Sequence, residues 1–223
     1  MADDRWAEVD HYIADKLLGE DPALDAALAA NKAGGLPPID VSPAQGKMLN
    51  LFARMMGARR ILEVGTLGGY STIWLARALP SGGRVVSLEV VPHHAEVAQA
   101  NLDRAGVADR VDIIVGPARD TLEAMVADGA DPFDMFFIDA DKQSNADYVR
   151  LAVSLGRPGA LIVVDNVVRD GGVIDANNRD PMIEGTRRLY DALADMPGVS
   201  ATAVQTVGLK QWDGFILALI DEQ

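Results

Sequence analysis

Acidic and amide side chains follow two strongly apolar segments in the second half of the sequence. Asp139 follows the run FFI at 136–138, and Asp165 and Asn166 follow the run LIVV at 161–164. Because the carboxyl ends of neighbouring parallel strands meet at one crevice, we expect these three side chains to project into it together. Two carboxylates and an amide oxygen are hard ligands that suit Mg²⁺, Mn²⁺ or Ca²⁺. The pattern predicts a cation site with positions left for water or substrate; the alternative is that these residues only cap strand-to-helix turns.

A second group of candidate residues lies at 61–71, where the sequence ILEVGTLGGYS joins a strand end, a glycine-rich turn and a helix start. Gly65, Gly68 and Gly69 permit a tight turn, and the free N–H groups of a helix N-terminus favour a carboxylate or phosphate. The spacing departs from the G-x-G-x-x-G fingerprint of dinucleotide-binding proteins. Glu63 points instead to S-adenosylmethionine (SAM), because the amino group of SAM requires an anion.

Two further strand ends carry candidate binding residues. Glu89 ends the second predicted strand, where a carboxylate can accept hydrogen bonds from both hydroxyls of a ribose, as it does in NAD enzymes. Ala118 follows a Gly-Pro pair after the third strand, where the backbone can approach an adenine ring. His93 and His94 begin the next helix, and we expect them to be exposed rather than to act as ligands.

The candidate residues lie on a regular alternation of strands and helices. Such alternation with short connections predicts a parallel sheet with right-handed crossovers and helices on both faces. The predicted strands are 60–64, 84–89, 111–115, 133–138 and 160–165, and the predicted helices are 71–78, 93–105, 121–128, 144–155 and 181–195. Segments 200–206 and 214–219 then have the spacing of an antiparallel closing pair.

Three helices are predicted before the first strand. Residues 4–18 form an amphipathic helix whose apolar face comprises Trp6, Val9, Ile13 and Leu17. An Asp-Pro pair at 21–22 opens a second helix, and a capping box at 42–45 opens a third. The apolar stripe of the third helix comprises Met48, Leu51, Phe52, Met55 and Met56. We assign these methionines to the core and expect the three helices to form a cap over the site or a subunit interface.

Composition sets the class of protein. The chain has 223 residues, 49% of them hydrophobic, which predicts one domain, with a helical cap at 1–58 and an α/β core at 59–223. A net charge of −13 argues against nucleic acid or an anionic membrane as a partner. The chain has no cysteine, which excludes disulfides and thiolate sites. Without a predicted signal peptide or membrane span, we expect a cytoplasmic protein.

Four features taken together resemble the cation-dependent, SAM-dependent O-methyltransferases of the catechol and caffeoyl-CoA type. These features are EVGTLGGYS, the acidic end of the second strand, FIDADK and VVDNV, and the resemblance extends from about Ile39 to the end. It implies the α/β Rossmann-like fold of class I SAM methyltransferases, a mostly parallel seven-stranded sheet whose last strand is antiparallel.

The resemblance also implies roles for individual residues. The residues implied to bind the cofactor are Val41, Glu63, Gly65, Thr66 and Ser71 at its methionine part, Glu89 at its ribose and Ala118 at its adenine. Asp139, Asp165 and Asn166 match the metal ligands, with Asp139 also near the cofactor amine. Lys142 matches the general base, and its place three residues after Asp139 is close enough to accept a proton from a coordinated hydroxyl.

The expected reaction transfers a methyl group from SAM to a hydroxyl of a vicinal aromatic diol bound to Mg²⁺, Mn²⁺ or Ca²⁺. The resemblance further implies a homodimer. Two alternatives remain open: a nicotinamide-dependent oxidoreductase, which the missing dinucleotide fingerprint opposes, and a catalytically silent SAM-binding module. The presence of Asp139, Lys142, Asp165 and Asn166 together argues against the silent module.

Overall fold

The computed structural model describes residues 2–221, and their side chains from residue 5 onward. The strands are β1 (Arg60–Val64), β2 (Arg84–Glu89), β3 (Val111–Val115), β4 (Phe133–Ile138), β5 (Gly156–Asp165), β6 (Val199–Gly208) and β7 (Gln211–Ile220). They form a seven-stranded sheet in the order β3-β2-β1-β4-β5-β7-β6. The pairs β1/β2, β2/β3 and β4/β5 are parallel, whereas β7 runs antiparallel to β5 and β6. The predicted α/β class with an antiparallel last strand is confirmed.

The chain divides into two compact units, one up to Ala118 and one from Arg119. The helices of the first are α1 (Ala2–Leu17), α2 (Pro22–Ala33), α3 (Pro43–Met55), α4 (Tyr70–Ala78) and α5 (Pro92–Arg104). Those that follow are α6 (Ala118–Ala127), α7 (Asn145–Leu155) and α8 (Pro181–Ala194). The predicted helices and strands are all present, with ends displaced by up to four residues. The predicted division into a cap at 1–58 and a core at 59–223 stays a prediction.

Helix α3 buries a different face from the predicted one. Met55 is 73% exposed and Leu51 42% exposed, so the assignment of the methionines to the core is wrong for Met55. The buried face comprises Gly46, Leu49, Asn50 and Ala53. Gly46 lets α4 approach closely, because a Cβ at this position would lie 2.3 Å from the Cδ1 atom of Trp74. Asn50 then donates a hydrogen bond of 2.9 Å to the Trp74 carbonyl, which gives this face a polar anchor.

Helix α1 leaves much of its predicted apolar face in solvent. Val9 is 55% exposed and Leu17 75% exposed, while Trp6 and Ile13 are half-buried. Tyr12 adds a further aromatic side chain that is 65% exposed. Within the first unit α1 packs on α3, which exposes Leu51 and Met55. Both helices therefore leave large apolar side chains exposed to solvent, and the choice between a cap and a subunit interface stays a prediction.

In the second unit the strand ends are arranged around β4 and β5. The register pairs Ile138 with Val164, and the core side chains of both strands are fully buried. Strand β6 lies at the edge, where residues 200–207 are all exposed. In the part of the chain described, no helix is long and apolar enough to cross a membrane.

Candidate active site

The glycine-rich turn joins β1 to α4 in a conformation that few residues other than glycine adopt. Gly65 has φ +100° and Gly69 φ +81°, both in the left-handed region. The Gly65 amide donates to the Leu88 carbonyl of β2 at 2.9 Å, which ties the turn to the neighbouring strand. Gly69 occupies the N-cap position of α4 without a side-chain cap. The first N–H groups of α4 therefore receive no hydrogen bond from an N-cap side chain.

Glu63 is a buried carboxylate that binds three hydroxyl groups. It is 0% exposed and accepts hydrogen bonds from Ser71 at 2.6 Å, Thr72 at 2.5 Å and Ser87 at 2.6 Å. Thr66 lies 2.6 Å from the Ser87 hydroxyl, whose only proton points to Glu63, so Thr66 is the donor of that pair. Glu63 therefore fixes both ends of the turn, through Thr66 at its start and Ser71 at the first turn of α4.

Glu89 holds the other side of the same turn. One carboxylate oxygen accepts from the main-chain amides of Thr66 at 3.2 Å and Leu67 at 2.8 Å, and the other from Val91 at 2.9 Å. The His94 imidazole lies 3.5 Å from Glu89 with a side chain only 20% exposed. The prediction that His94 is exposed is therefore wrong, because its place in the first turn of α5 directs the ring at Glu89; His93 is exposed as predicted.

A chain of buried amides, which the sequence analysis missed, supports the turn from behind. Asn101 of α5 donates to the Gly68 carbonyl at 2.8 Å and to the Asn31 side chain at 2.9 Å. Asn31 of α2 in turn donates to Asp40 at 2.7 Å. A Cβ at Gly68 would lie 1.8 Å from Asn31 Oδ1, so only glycine fits against this chain. The sequence signal was an asparagine on the apolar face of each helix.

The remaining predicted cofactor residues, Val41 and Ala118, each lie at or just before the start of a helix. Val41 is buried directly after Asp40 and before Ser42, the N-cap of α3. Ala118 is half-buried at the start of α6. It follows Gly116, whose amide donates to the Glu89 carbonyl at 2.9 Å. The main chain before Ala118 is therefore fixed beside the end of β2.

In the second unit the strand register brings the predicted metal ligands to neighbouring strand ends. Asp139 and Asp165 each follow one residue of the pair formed by Ile138 and Val164. Adjacent strands are about 4.8 Å apart, so the two residues begin side by side. Asp165 is 5% exposed, and its side chain accepts a hydrogen bond of 2.9 Å from the main-chain N–H of Asn166. Asn166 itself has φ +60°, a conformation that asparagine tolerates better than most residues.

Lys142 is buried rather than solvated. Its side chain is 3% exposed, and its Nζ donates to Asp139 Oδ1 at 2.7 Å. The residue begins a 3₁₀ helix, Lys142–Ser144, that precedes α7. Gly185 of α8 packs directly on this helix, because a Cβ there would lie 2.4 Å from the Lys142 carbonyl oxygen. Lys142 is therefore not a solvent-exposed lysine, although it lies at a helix start.

The loop after Asn166 is held against α8 by Arg187. Its guanidinium donates to the carbonyl oxygens of Val173 at 3.0 Å, Asn178 at 3.1 Å and Gly172 at 3.3 Å, and also to that of Asp175. A cavity of about 570 Å³ adjoins this loop. Its lining includes Val168, Ile174, Tyr190, Ala203 and Trp212. The cavity is therefore largely apolar, with its one lining arginine committed to main-chain carbonyls.

Comparison with known proteins decides the family. A family model described as O-methyltransferase matches residues 20–219. The chain belongs to the O-methyltransferase family. It is 55% identical to a catechol O-methyltransferase of Mycobacterium tuberculosis, over 96% of this chain and 95% of the relative. A catechol O-methyltransferase of Niastella koreensis is 52% identical over 96% of this chain and 97% of its own.

The solved structure of another O-methyltransferase has the same fold and contains a bound ligand. The O-methyltransferase of Bacillus cereus in complex with SAH matches with a TM-score of 0.96 and 52% identity, over 98% of this chain and 99% of the other. This chain is therefore a SAM-dependent O-methyltransferase with a Rossmann-like fold, and SAM is its methyl donor. The predicted enzyme class, a SAM-dependent O-methyltransferase, is confirmed. The alternative of a nicotinamide-dependent oxidoreductase is therefore wrong.

Proposed function

We propose that this O-methyltransferase methylates one hydroxyl of a catechol-type substrate, a vicinal aromatic diol, with the help of a divalent cation. The observation that carries the proposal is the β4/β5 register, which places Asp139 and Asp165 on neighbouring strand ends beside buried Lys142. The two relatives named as catechol O-methyltransferases support the same acceptor class.

The donor set fits a hard cation. Asp139, Asp165 and Asn166 offer only oxygen atoms, as Mg²⁺, Mn²⁺ and Ca²⁺ prefer. Among the side chains described, those of residues 5–221, no group of three or more His, Cys, Asp or Glu is placed to hold a metal. In the proposed set the amide oxygen of Asn166 supplies the third oxygen. A bound cation would hold the two oxygens of the diol and lower the pKa of the coordinated hydroxyl.

The first unit supplies residues that fit SAM. Thr66 and Ser71 are held by the Glu63 network, and Glu89 fixes the amides of the glycine-rich turn. We assign Val41, Glu63, Gly65, Thr66 and Ser71 to the methionine part of SAM, Glu89 to its ribose and Ala118 to its adenine. Because these groups are anchored before the cofactor arrives, little ordering is required on binding.

Lys142 acts as the general base in this proposal. The acceptor oxygen attacks the methyl carbon of SAM, the carbon–sulfur bond breaks, and SAH leaves with the bonding pair on sulfur. The hydroxyl proton passes to Nζ of Lys142, which acts here in its neutral amine form. Asp139, 2.7 Å from that nitrogen, then stabilises the ammonium that forms. Burial of Lys142 keeps bulk water from competing for the proton.

Removal of divalent cations tests the cation requirement. Treatment with EDTA should abolish methyl transfer, and added Mg²⁺ or Mn²⁺ should restore it. Asp165→Ala should lose activity while its SAM affinity, measured by calorimetry, stays at the wild-type value, because Asp165 is not assigned to SAM. Full turnover by metal-free protein would contradict the proposal.

A matched pair of acceptors tests the substrate class. Two adjacent oxygens close a chelate that fixes the ring plane, whereas a single phenol oxygen fixes neither angle nor distance of attack. We therefore expect kcat/KM for a catechol to exceed that for its monophenol analogue by about 10²-fold or more. Ring substituents should matter less, since the apolar cavity of about 570 Å³ adjoins the loop after Asn166. Equal kcat/KM for both compounds would refute this assignment.

A homodimer is the proposed assembly, and its support lies on two helices. Val9, Tyr12 and Leu17 of α1 and Leu51 and Met55 of α3 are exposed apolar side chains of the kind that subunit interfaces bury. Light scattering at micromolar concentration should give twice the mass of the chain, and a monomer mass would reject the proposal. No nucleic acid or membrane partner is expected, and the cytoplasmic location stays a prediction.

A further inference from the structure

The turn that follows β5 contains an unusual run of backbone conformations. Asn166 has φ +60°, Arg169 φ +57° and Asp170 φ +53°, so three non-glycine residues adopt the left-handed region within five positions. L side chains rarely occupy this region, and such a turn persists only where its surroundings hold it. The turn carries Asn166, so whatever holds its shape also determines where the Asn166 amide points.

Residues of strand β7 accept hydrogen bonds from successive main-chain N–H groups of this turn. The Val167 N–H donates to the Gly214 carbonyl at 3.1 Å, and the Asp170 N–H donates to the Trp212 carbonyl at 2.9 Å. Between them, the N–H groups of Val168 and Arg169 both donate to Asp213 Oδ1, at 2.9 and 3.1 Å. Four consecutive amides of the turn are thus bound by three consecutive residues of β7.

A single carboxylate oxygen of Asp213 accepts the two central hydrogen bonds of this arrangement. The same Oδ1 also accepts the N–H of Gly214 at 2.9 Å, so it collects three main-chain donors. A carboxylate oxygen has the negative charge that such a cluster of N–H groups requires, and hydrogen bonds to it are stronger than those to a neutral acceptor. Gly214 is needed beside it, because a Cβ there would lie 2.4 Å from the Val204 carbonyl oxygen and 2.8 Å from Val168 Cγ2.

We infer that Asp213 is a positioning residue for the divalent cation: it holds the left-handed turn that aims the amide oxygen of Asn166 at the metal. The inference rests on the proposed cation site of Asp139, Asp165 and Asn166. Asp213 does not touch the cation itself; it acts through the main chain of residues 167–170. Outer residues that orient metal ligands in this way commonly change metal affinity 10- to 100-fold when removed.

The test measures cation binding directly, apart from turnover. Mn²⁺ binding to wild-type protein and to Asp213→Ala is followed by electron paramagnetic resonance without acceptor, with SAM affinity measured in parallel by calorimetry. We expect Asp213→Ala to bind Mn²⁺ about 10- to 100-fold more weakly, with SAM affinity unchanged. Hydrogen exchange at Val168 and Arg169 should become faster, because both amides lose their acceptor.

Two further variants make the result specific. Asp213→Asn keeps an oxygen acceptor but loses the charge, so its Mn²⁺ affinity should lie between those of wild type and Asp213→Ala. If Asp213→Ala fails to fold, the Mn²⁺ affinity of Asp213→Asn is compared with that of wild type instead. Asp221→Ala is the matched control, because Asp221 also lies beside β7 but accepts from the Ser200 hydroxyl, at 3.0 Å, rather than from the turn after β5. Its Mn²⁺ affinity should equal that of wild type.

The outcomes separate this inference from the proposed function. Wild-type protein that binds no Mn²⁺ would overturn the cation site and the inference with it. Wild-type binding together with unchanged affinity in folded Asp213→Ala, or in Asp213→Asn where alanine is not tolerated, would overturn the inference alone. A parallel loss of SAM affinity in these variants would instead indicate general destabilisation and would also refute a role confined to the cation.

Discussion

Replacing Gly185 by alanine should displace Lys142, the proposed general base. Gly185 lies in the second turn of α8, where its missing side chain lets the helix pack on the Lys142–Ser144 segment. A Cβ at this position would lie 2.4 Å from the Lys142 carbonyl oxygen and 2.7 Å from the Gln143 Cα atom. Both are main-chain atoms, so no side chain can rotate away and one of the two segments must move.

The size of the effect follows from these distances. A separation of 2.4 Å is about 1 Å inside normal contact distance. Overpacking of this kind costs about 1–3 kcal/mol, whereas alanine gains about 1 kcal/mol over glycine in a helix. Because the contact is with backbone, we take the upper part of the range and expect a net loss of about 1–2 kcal/mol. For a chain of this length that lowers Tm by about 2–8 °C.

Catalysis should suffer more than stability. A shift of about 1 Å in a reacting group can lower the rate about 10²-fold, so kcat of Gly185→Ala should fall by roughly that factor. The KM for SAM should change less than kcat, because the residues assigned to SAM lie in the first unit, apart from Asp139, which is expected near the cofactor amine. Glu184→Ala adds alanine one position earlier, at a half-exposed site, and should change Tm by less than about 2 °C and kcat little. Wild-type Tm and kcat in Gly185→Ala would refute the argument.

Three other substitutions test the first unit. Asn101→Asp cannot donate to the Gly68 carbonyl, so the SAM dissociation constant measured by calorimetry should rise about tenfold, the equivalent of one lost hydrogen bond. Glu63→Gln should lower the free energy of unfolding in urea by about 3 kcal/mol, because three hydroxyls lose a charged acceptor, with the m-value unchanged. Burial raises the pKa of Asp21, but its hydrogen bonds and the charge of Arg77 outweigh this and lower it below 3.8. Its stabilisation is therefore present above that pH and lost as pH falls through the lower folded pKa, so Asp21→Ala should cost about 1 kcal/mol at pH 7 and progressively less below about pH 4 in urea titrations.

Local signals predicted the strands of the sheet well. The strands are apolar runs rich in valine and isoleucine, bounded by glycine and charged residues, and such runs specify buried parallel strands without tertiary information. The placement of Asp139 and Asp165 at neighbouring strand ends could be predicted for the same reason, because the end of a strand determines where the side chain that follows it begins. The proximity of Lys142 to Asp139 follows from their spacing as well, whereas the burial of Lys142 does not.

What could not be predicted depends on contacts between distant segments. The buried face of α3 was misassigned because Gly46 and Asn50, rather than the methionines, match the shape and carbonyl of Trp74. Asp213 and Gly185 carry no local motif, because their roles exist only once β7 meets the turn after β5 and α8 meets the segment at Lys142. Hydrophobic periodicity does not report such close approaches or single polar anchors.

The buried amide chain behind the glycine-rich turn has a consequence for biosynthesis. Gly68, Asn31 and Asn101 lie far apart in sequence, and contacts of high sequence separation form late because loop closure must precede them. As the chain emerges from the ribosome, the Gly68 carbonyl lacks its Asn101 partner until α5 has been made and has packed against α2. A nascent chain ending before α5 should therefore bind SAM weakly, even though the turn itself is already complete. With SAM bound at this turn as proposed, cofactor binding requires that α5 has already packed against α2.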